Sequence, residues 1–294
     1  MKQIMGIINV NGESFYSESR CTTSDQIRRK ITQMVDEGAD ILDFGACSTR
    51  PGSTPVSESR EWEGIRLALS IVRDELKDKD SACSRLFKRV GQRYALSIDT
   101  FRSSIVEKAC DYIGDFTIND ISAGEDDPGM LPLAGKLKLP YIAMHKKGTP
   151  TDMQQRCDYR RGVVTEVIEY FKNFQVRARE YGITEYMIDP GFGFAKTVEQ
   201  NYQLLAGIEK LKSSIMHITD NGCEPVPVLI GLSRKSMIWK PLGITPQEAL
   251  CPTAALNLQA LLLGGDILRV HDVAQAAGCI KLYRQLAPYL NKDF

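Results

Sequence analysis

The sequence has no apolar run long enough to span a bilayer, which argues against a transmembrane helix. No sign of charge prevails: Lys+Arg is 37 and Asp+Glu is 37, for a net charge of +0. A polybasic face for nucleic acid or an acidic membrane is therefore not expected. The eight cysteines are Cys21, Cys47, Cys83, Cys110, Cys157, Cys223, Cys251 and Cys279, and they form no C-x-x-C pair. That spacing argues against a zinc site, and over a long chain it reads as reduced thiols rather than a disulfide framework. Gly6 and Gly12 do not make the G-x-G-x-x-G of a dinucleotide-binding sheet, the main structural alternative. Low-complexity sequence is absent. The start, Met1-Lys2-Gln3, lacks the basic-then-apolar pattern of a secretory leader, so the cytoplasm is expected.

What the chain does have is alternation. With 294 residues, 43% hydrophobic and 25% charged, it suits one large domain, residues 1–294. Short apolar segments rich in Val, Ile and Leu fall at 4–10, 40–44, 94–98, 115–118, 139–144, 185–188, 226–232 and 266–270. Helical periodicity fills the spaces between them, most clearly over 160–181, where Val164, Val167, Ile168, Phe171, Phe174 and Ala178 follow three-and-four spacing. Ser24-Asp25 reads as the first helix cap, and Ser57 opens the second helix. Residues 75–93 read as a charged helix end or surface connection, and 213–225 as a surface linker. Eight strand–helix repeats predict an α/β fold, a (β/α)8 TIM barrel.

The segments end in polar residues: Asn9, Asp43, Asp99, Asn119-Asp120, His145, Asp189, Ser233-Arg234-Lys235 and Arg269-Val270-His271. In such a barrel the C-terminal strand ends carry the active site, so an enzyme is expected. Asp99 and Asp189 accept hydrogen bonds only, while Asn119 both donates and accepts. Together they match the edge of a fused heterocycle bearing an amide and an amino group. The bland alternative, that each carboxylate caps a turn, suits one of them better than the set. Arg269 and His271, two apart on a strand, share a face and suit a phosphate or diphosphate. The polar, Gly- and Ser-rich stretches after the first two segments read as lids, carrying Phe15 and Arg50 near the mouth.

Read in order, Met5-Gly-Ile-Ile-Asn-Val10, Ser48-Thr-Arg-Pro-Gly52, Ser97-Ile-Asp-Thr100, Ile118-Asn-Asp-Ile-Ser122, Met144-His-Lys-Lys-Gly-Thr-Pro150, Asp189-Pro-Gly-Phe-Gly-Phe194, Gly231-Leu-Ser-Arg-Lys-Ser236 and Arg269-Val-His-Asp272 resemble the dihydropteroate synthase family from Met5 to about Ala276. The resemblance implies condensation of 6-hydroxymethyl-7,8-dihydropterin diphosphate with p-aminobenzoate, giving dihydropteroate and diphosphate. It implies pterin contacts at Asp99, Asn119, Met144, Asp189, Phe194 and Lys235. It places diphosphate at Asn9, Arg50, Arg269 and His271, and p-aminobenzoate at Phe15, Thr49, Pro51 and Ser236. Catalysis would rest on Asn9, Asp99, Lys235, Arg269 and His271, with Mg2+ held by Asn9. His145 lies in the family's Met-His pattern, and His217 reads as surface. Small-molecule substrates, a homodimer through outer helices and sensitivity to sulfonamides are the further implications.

The sequence departs from the family pattern in the first loop, Asn9-Val-Asn-Gly-Glu-Ser-Phe-Tyr-Ser-Glu-Ser19, where Gly12 replaces a usual Pro. Ala46-Cys47 stand where Gly-Glu is common, and Ala195 replaces a Gly, a change expected to matter little. Two rival readings remain: a pterin-binding methyltransferase domain serving a corrinoid partner, and a non-catalytic pterin-binding paralogue.

Overall fold

The computed structural model describes residues 2–10, 23–47, 56–219 and 222–290. Its strands are β1 (Gln3–Asn9), β2 (Ile41–Gly45), β3 (Leu96–Asp99), β4 (Thr117–Asp120), β5 (Tyr141–Met144), β6 (Tyr186–Asp189), β7 (Met216–Thr219), β8 (Gly222–Pro225), β9 (Leu229–Ile230) and β10 (Ile267–Val270). Eight of them form one parallel sheet in the order β6-β5-β4-β3-β2-β1-β10-β9. A parallel bridge between Ile188 and Val228 joins its two ends, so the sheet closes into the expected α/β barrel.

The strands are short because each needs to cross the barrel only once, and they are buried on both faces. Met5, Ile41, Ile142, Leu229 and Ile267 form a small apolar cluster of their own, with Met187 against it. Two residues further along the same strands, and so on the same face, stand Ile7, Asp43, Met144, Gly231, Arg269 and Asp189. The inward face thus passes from apolar at the bottom to charged at the top. The larger core lies outside the sheet, where helices pack Ile27, Ile31, Phe116, Phe171 and Phe174 against it.

Local chemistry explains the element ends. The first helix is capped by Thr23, one residue before the expected Ser24, in a reciprocal box with Gln26. Ser57 caps the helix Glu58–Glu75 as expected. The helix expected at 160–181 spans Val163–Glu180 and buries Val163, leaving Val164 partly covered.

Three readings are corrected. Residues 75–93 hold a capped helix, Ala82–Val90, started by Ser81 and buried through Cys83 and Leu86. Residues 213–225 contain the antiparallel β7–β8 hairpin rather than a linker. The strand read at 226–232 shrinks to β9 because Pro227 has no N–H for the ladder; only its carbonyl pairs, accepting from Ile188 N at 3.0 Å.

Candidate active site

The centre of the mouth is Asp43, which is fully buried. Its carboxylate accepts from Ser97 Oγ at 2.7 Å, from Asn119 Nδ2 at 3.2 and 3.3 Å, and from Arg269 Nε at 2.8 Å. Arg269 reaches on to Asp99 Oδ2 at 2.6 Å, so one guanidinium bridges β2 and β3 from β10. Gly45 makes room: a Cβ there would stand 3.3 Å from Asp99 Cβ. Burial works to lower the Arg269 guanidinium, but the Asp43 and Asp99 charges outweigh it and hold the group above its ordinary value. Burial raises the Asp99 carboxyl to about 7, with Arg269 pulling it down and Asp43, Asp120 and Asp189 pushing it up.

Opposite them stand Asp189 and Lys235. Asp189 Oδ1 accepts from Gly191 N at 2.8 Å. A Cβ on Gly231 would lie 3.7 Å from Lys235 Nζ and 3.8 Å from Asp189 Oδ2, so both groups crowd that bare glycine. Lys235 Nζ donates to the Phe192 carbonyl and lies 5.0 Å from the centre of the Phe194 ring. Burial raises the Asp189 carboxyl, against the Lys235 charge. Met144 is buried beside Asp189 in register, and Phe194 is half-buried. Acceptors (Asp99, Asp189), a two-way group (Asn119) and a donor (Lys235) thus converge at one barrel end.

His271 and Ser236 flank this arrangement. His271 N donates to Ser233 Oγ at 3.2 Å, and Ser236 begins a short helix after Lys235. Asn9 ends β1 beside Gly45. Among the described residues no three His, Cys, Asp or Glu side chains form a group that could hold a metal ion. Phe15, Thr49, Arg50 and Pro51, together with the altered first loop, lie outside the described residues.

Other strand-end residues have structural work. Arg234 turns away and pairs with both oxygens of Asp272 at 2.9 Å. Asp120 accepts from Ser122 N and Gly124 N, both at 2.7 Å, and is the turn cap that the bland reading described. His145 is buried behind the mouth, with Nδ1 2.9 Å from Lys196 Nζ, and it borders a separate polar cavity of about 850 Å³. His217 is half-buried against Tyr186, Nε2 3.0 Å from its carbonyl, rather than a surface residue.

The geometry has counterparts among known proteins. A family model described as pterin binding enzyme matches residues 5–271. A dihydropteroate synthase from Synechocystis sp. is 34% identical over 282 residues, covering 95% of this chain and 88% of that one. The chain belongs to the dihydropteroate synthases, within the pterin binding enzymes. The Yersinia pestis dihydropteroate synthase, solved as a sulfonamide drug complex, superposes with a TM-score of 0.82 at 31% identity over 98% of this chain and 94% of that one. The Burkholderia cenocepacia enzyme, solved with 7,8-dihydropteroate, gives 0.79 at 29% identity, covering 98% and 92%.

For this synthase the strand-end reasoning gave Asp43 no role. The signal was present: Asp43 ends an apolar segment two residues beyond Ile41, on the inward face. Lys196 was also passed over. Ala195 needs more than the minor weight expected for it, since it sits buried with φ at 51°, a conformation costing roughly 1–2 kcal/mol for any residue with a Cβ.

Proposed function

We propose that this synthase binds the pterin edge between Asp99, Asn119, Asp189 and Lys235, with Met144 and Phe194 as apolar walls. The observation that carries the reading is the convergence of acceptor, two-way and donor groups on one barrel end, with a buried Asp43–Arg269 pair beneath them. Asp43 orients Asn119 and Arg269, and so belongs to the pocket as a support. Relatives solved with 7,8-dihydropteroate and with a sulfonamide drug support the same ligand classes here.

In the proposed reaction the bond between the pterin methylene carbon and the diphosphate oxygen breaks, and the electron pair leaves with diphosphate. The amine of p-aminobenzoate then adds to the carbon and loses a proton. Arg269, His271 and Arg50 would take the growing charge of the leaving group, and Phe15, Thr49, Pro51 and Ser236 would hold p-aminobenzoate. Mg2+ would be held by the Asn9 amide oxygen together with substrate diphosphate oxygens and water, the oxygen ligands it prefers. Once bound it would offset charge on the leaving group.

A homodimer and a cytoplasmic setting complete the proposal. Leu282 and Leu286 offer exposed apolar surface on an outer helix, beside half-buried Tyr283, while Ile280 of the same helix is in the core. The described cysteines are free thiols, as a reducing compartment would keep them.

Diphosphate release by the purified protein, with and without p-aminobenzoate, tests the activity. Release that depends on both substrates is expected. Pterin binding without turnover would instead identify a non-catalytic paralogue.

A further inference from the structure

The turn that follows β6 is held by an unusual number of side chains. Lys196 Nζ donates to Gly191 O at 2.9 Å and to Phe194 O at 3.0 Å. Lys235 Nζ takes Phe192 O, Gln154 Nε2 takes Gly193 O at 3.2 Å, and Tyr159 Oη takes Ala195 O at 3.1 Å. Five consecutive carbonyls thus each accept from a side chain. The turn has a backbone bond of its own, Phe194 N to Gly191 O at 3.1 Å, and Gly191, Gly193 and Ala195 all have positive φ, at 71°, 82° and 51°, which the two glycines adopt freely and Ala195 does not.

Lys196 supplies two of these bonds and makes its third contact with His145 Nδ1 at 2.9 Å, where the imidazole tautomer sets which nitrogen donates. Burial pushes the Lys196 amine well below its ordinary range, against the pull of the Asp189 charge, and charged or neutral the nitrogen has a partner for each of these three contacts. Both partners are deep: Lys196 is 3% exposed and His145 2%. The His145 ring is braced edge-on against Tyr170, with centroids 4.8 Å apart. The turn lies directly on the end of β5, for a Cβ at Gly191 would come 1.9 Å from His145 O. A polar nitrogen this deep is costly unless it is bonded, and Lys196 Nζ has three partners.

We infer that Lys196 is a positioning residue for the pterin pocket: from behind, through its bonds to Gly191 O, Phe194 O and His145, it fixes the turn that presents the Asp189 carboxylate, the Phe192 carbonyl and the Phe194 ring to the mouth. The inference rests on the pterin reading above. The two lysines work on opposite sides of one turn, Lys235 facing the ligand and Lys196 facing the core. Lys196 touches no reacting atom, so its effect falls on pterin binding and leaves the p-aminobenzoate side alone.

The test compares wild type with Lys196→Met, which keeps the length and removes the donors. Binding of 6-hydroxymethylpterin is read by calorimetry, and KM for each substrate and kcat by diphosphate release. The pterin Kd and the KM for the pterin diphosphate should each rise at least about tenfold, while kcat and the KM for p-aminobenzoate stay within about twofold. Should Lys196→Met not fold, His145→Leu and His145→Gln decide. Leu removes the hydrogen-bond partner of Lys196 and should weaken pterin binding, whereas Gln, which can donate or accept, restores one and should bring the affinity back. Wild-type pterin affinity in folded Lys196→Met or in His145→Leu, or a parallel rise in both KM values, overturns the inference alone. Failure of the wild-type protein to bind the pterin overturns the pocket reading and the inference with it.

Discussion

Both ends of the barrel hold clustered charge, but the two ends are built differently. At the bottom, Asp266 accepts from Lys212 at 2.7 Å, from Lys2 at 3.2 Å and from Val228 N at 3.0 Å. The same lysines also donate to the carbonyls of Gly264 and Gly265. Two cations share one carboxylate; the Lys2 and Val228 contacts tie the starts of β1, β9 and β10 together, and Lys212 ties in the helix Ile208–Ser214. At the mouth the ratio reverses: Asp43, Asp99 and Asp189 face Arg269 and Lys235. The bottom cluster spends its hydrogen bonds on the barrel seam. The top cluster has an excess of acceptors, which a ligand edge rich in N–H can answer. Charge alone does not mark an active site; acceptor capacity left over after the fold has taken its share does.

The sharpest way to break this contrast is Arg269→Ala. It leaves Asp43, fully buried, and Asp99, partly buried, facing each other without their cation, a change of the kind that costs roughly 3–5 kcal/mol for a buried pair and somewhat less here, where Arg269 and Asp99 are partly exposed. Affinity for the free hydroxymethyl pterin and for its diphosphate should both collapse, because the carboxylates will take up protons and turn from acceptors into donors. Calorimetry with the two ligands decides. A loss confined to the diphosphate ester would make Arg269 a phosphate anchor only. Asp266→Ala is the counterpart at the bottom. Its cluster is partly solvated, so a stability loss of roughly 2 kcal/mol is expected, below the fully buried case. Pterin affinity should not change. A thermal melt read alongside pterin titration checks both halves, and weakened pterin binding in a still-folded protein would erase the distinction between the two ends.

How much of this could be read from the sequence depends on the range of the interaction. Strand existence is local, so apolar runs such as 40–44 and 185–188 found β2 and β6 to within a residue or two. Fold class followed from their alternation with helices. Ring closure and side-chain pairing are not local. Arg269 and Asp43 are 226 positions apart, so their bond cannot be seen in spacing, although both sat in view as strand ends. Asp120 and Asn119 are neighbours with opposite duties, decided by the pleat that sends one inward and the other to the Ser122 turn. The β7–β8 hairpin was missed because the alternation of Met216–Thr219 runs for only four residues and Gly222–Pro225 has none; Gly222–Pro225 is exposed throughout. Lys196 was passed over because a lone lysine after a glycine-rich turn ordinarily points to solvent.

Within the mouth, Asp99→Asn sharpens the comparison. It keeps the shape but replaces an acceptor-only group with one that also donates, and it removes the charge that Arg269 answers. The loss of a charge-assisted hydrogen bond is worth roughly 1.5–3 kcal/mol, so pterin affinity should fall at least about tenfold. Circular dichroism should stay as in wild type. Unchanged affinity in the folded variant would take Asp99 out of the pocket and leave Asp189 as its main acceptor.

The smallest effect expected is a pH dependence, and its sign follows from the raised carboxyl. Asp99 stands at about 7, so below that pH the free protein holds a proton there. A pterin edge that donates N–H requires the ionised acceptor, and binding must then expel that proton. Affinity should therefore fall as the pH drops below about 7, by up to about tenfold per unit, and level off above it. The other mouth carboxylate, Asp189, is also raised by burial, against Lys235, and would steepen the fall if it too must ionise. Calorimetry from about pH 6 to about pH 8, in two buffers with different heats of ionisation, reads both affinity and proton release. Release should be greatest at the acid end, and the slope should shrink in Asp99→Asn, which has no proton to lose at that position. A flat affinity with no proton exchange would mean that Arg269 already keeps Asp99 ionised before any ligand arrives. The mouth would then have its acceptors fully charged in advance, and its contrast with the bottom of the barrel would lie in the number of carboxylates rather than in their protonation.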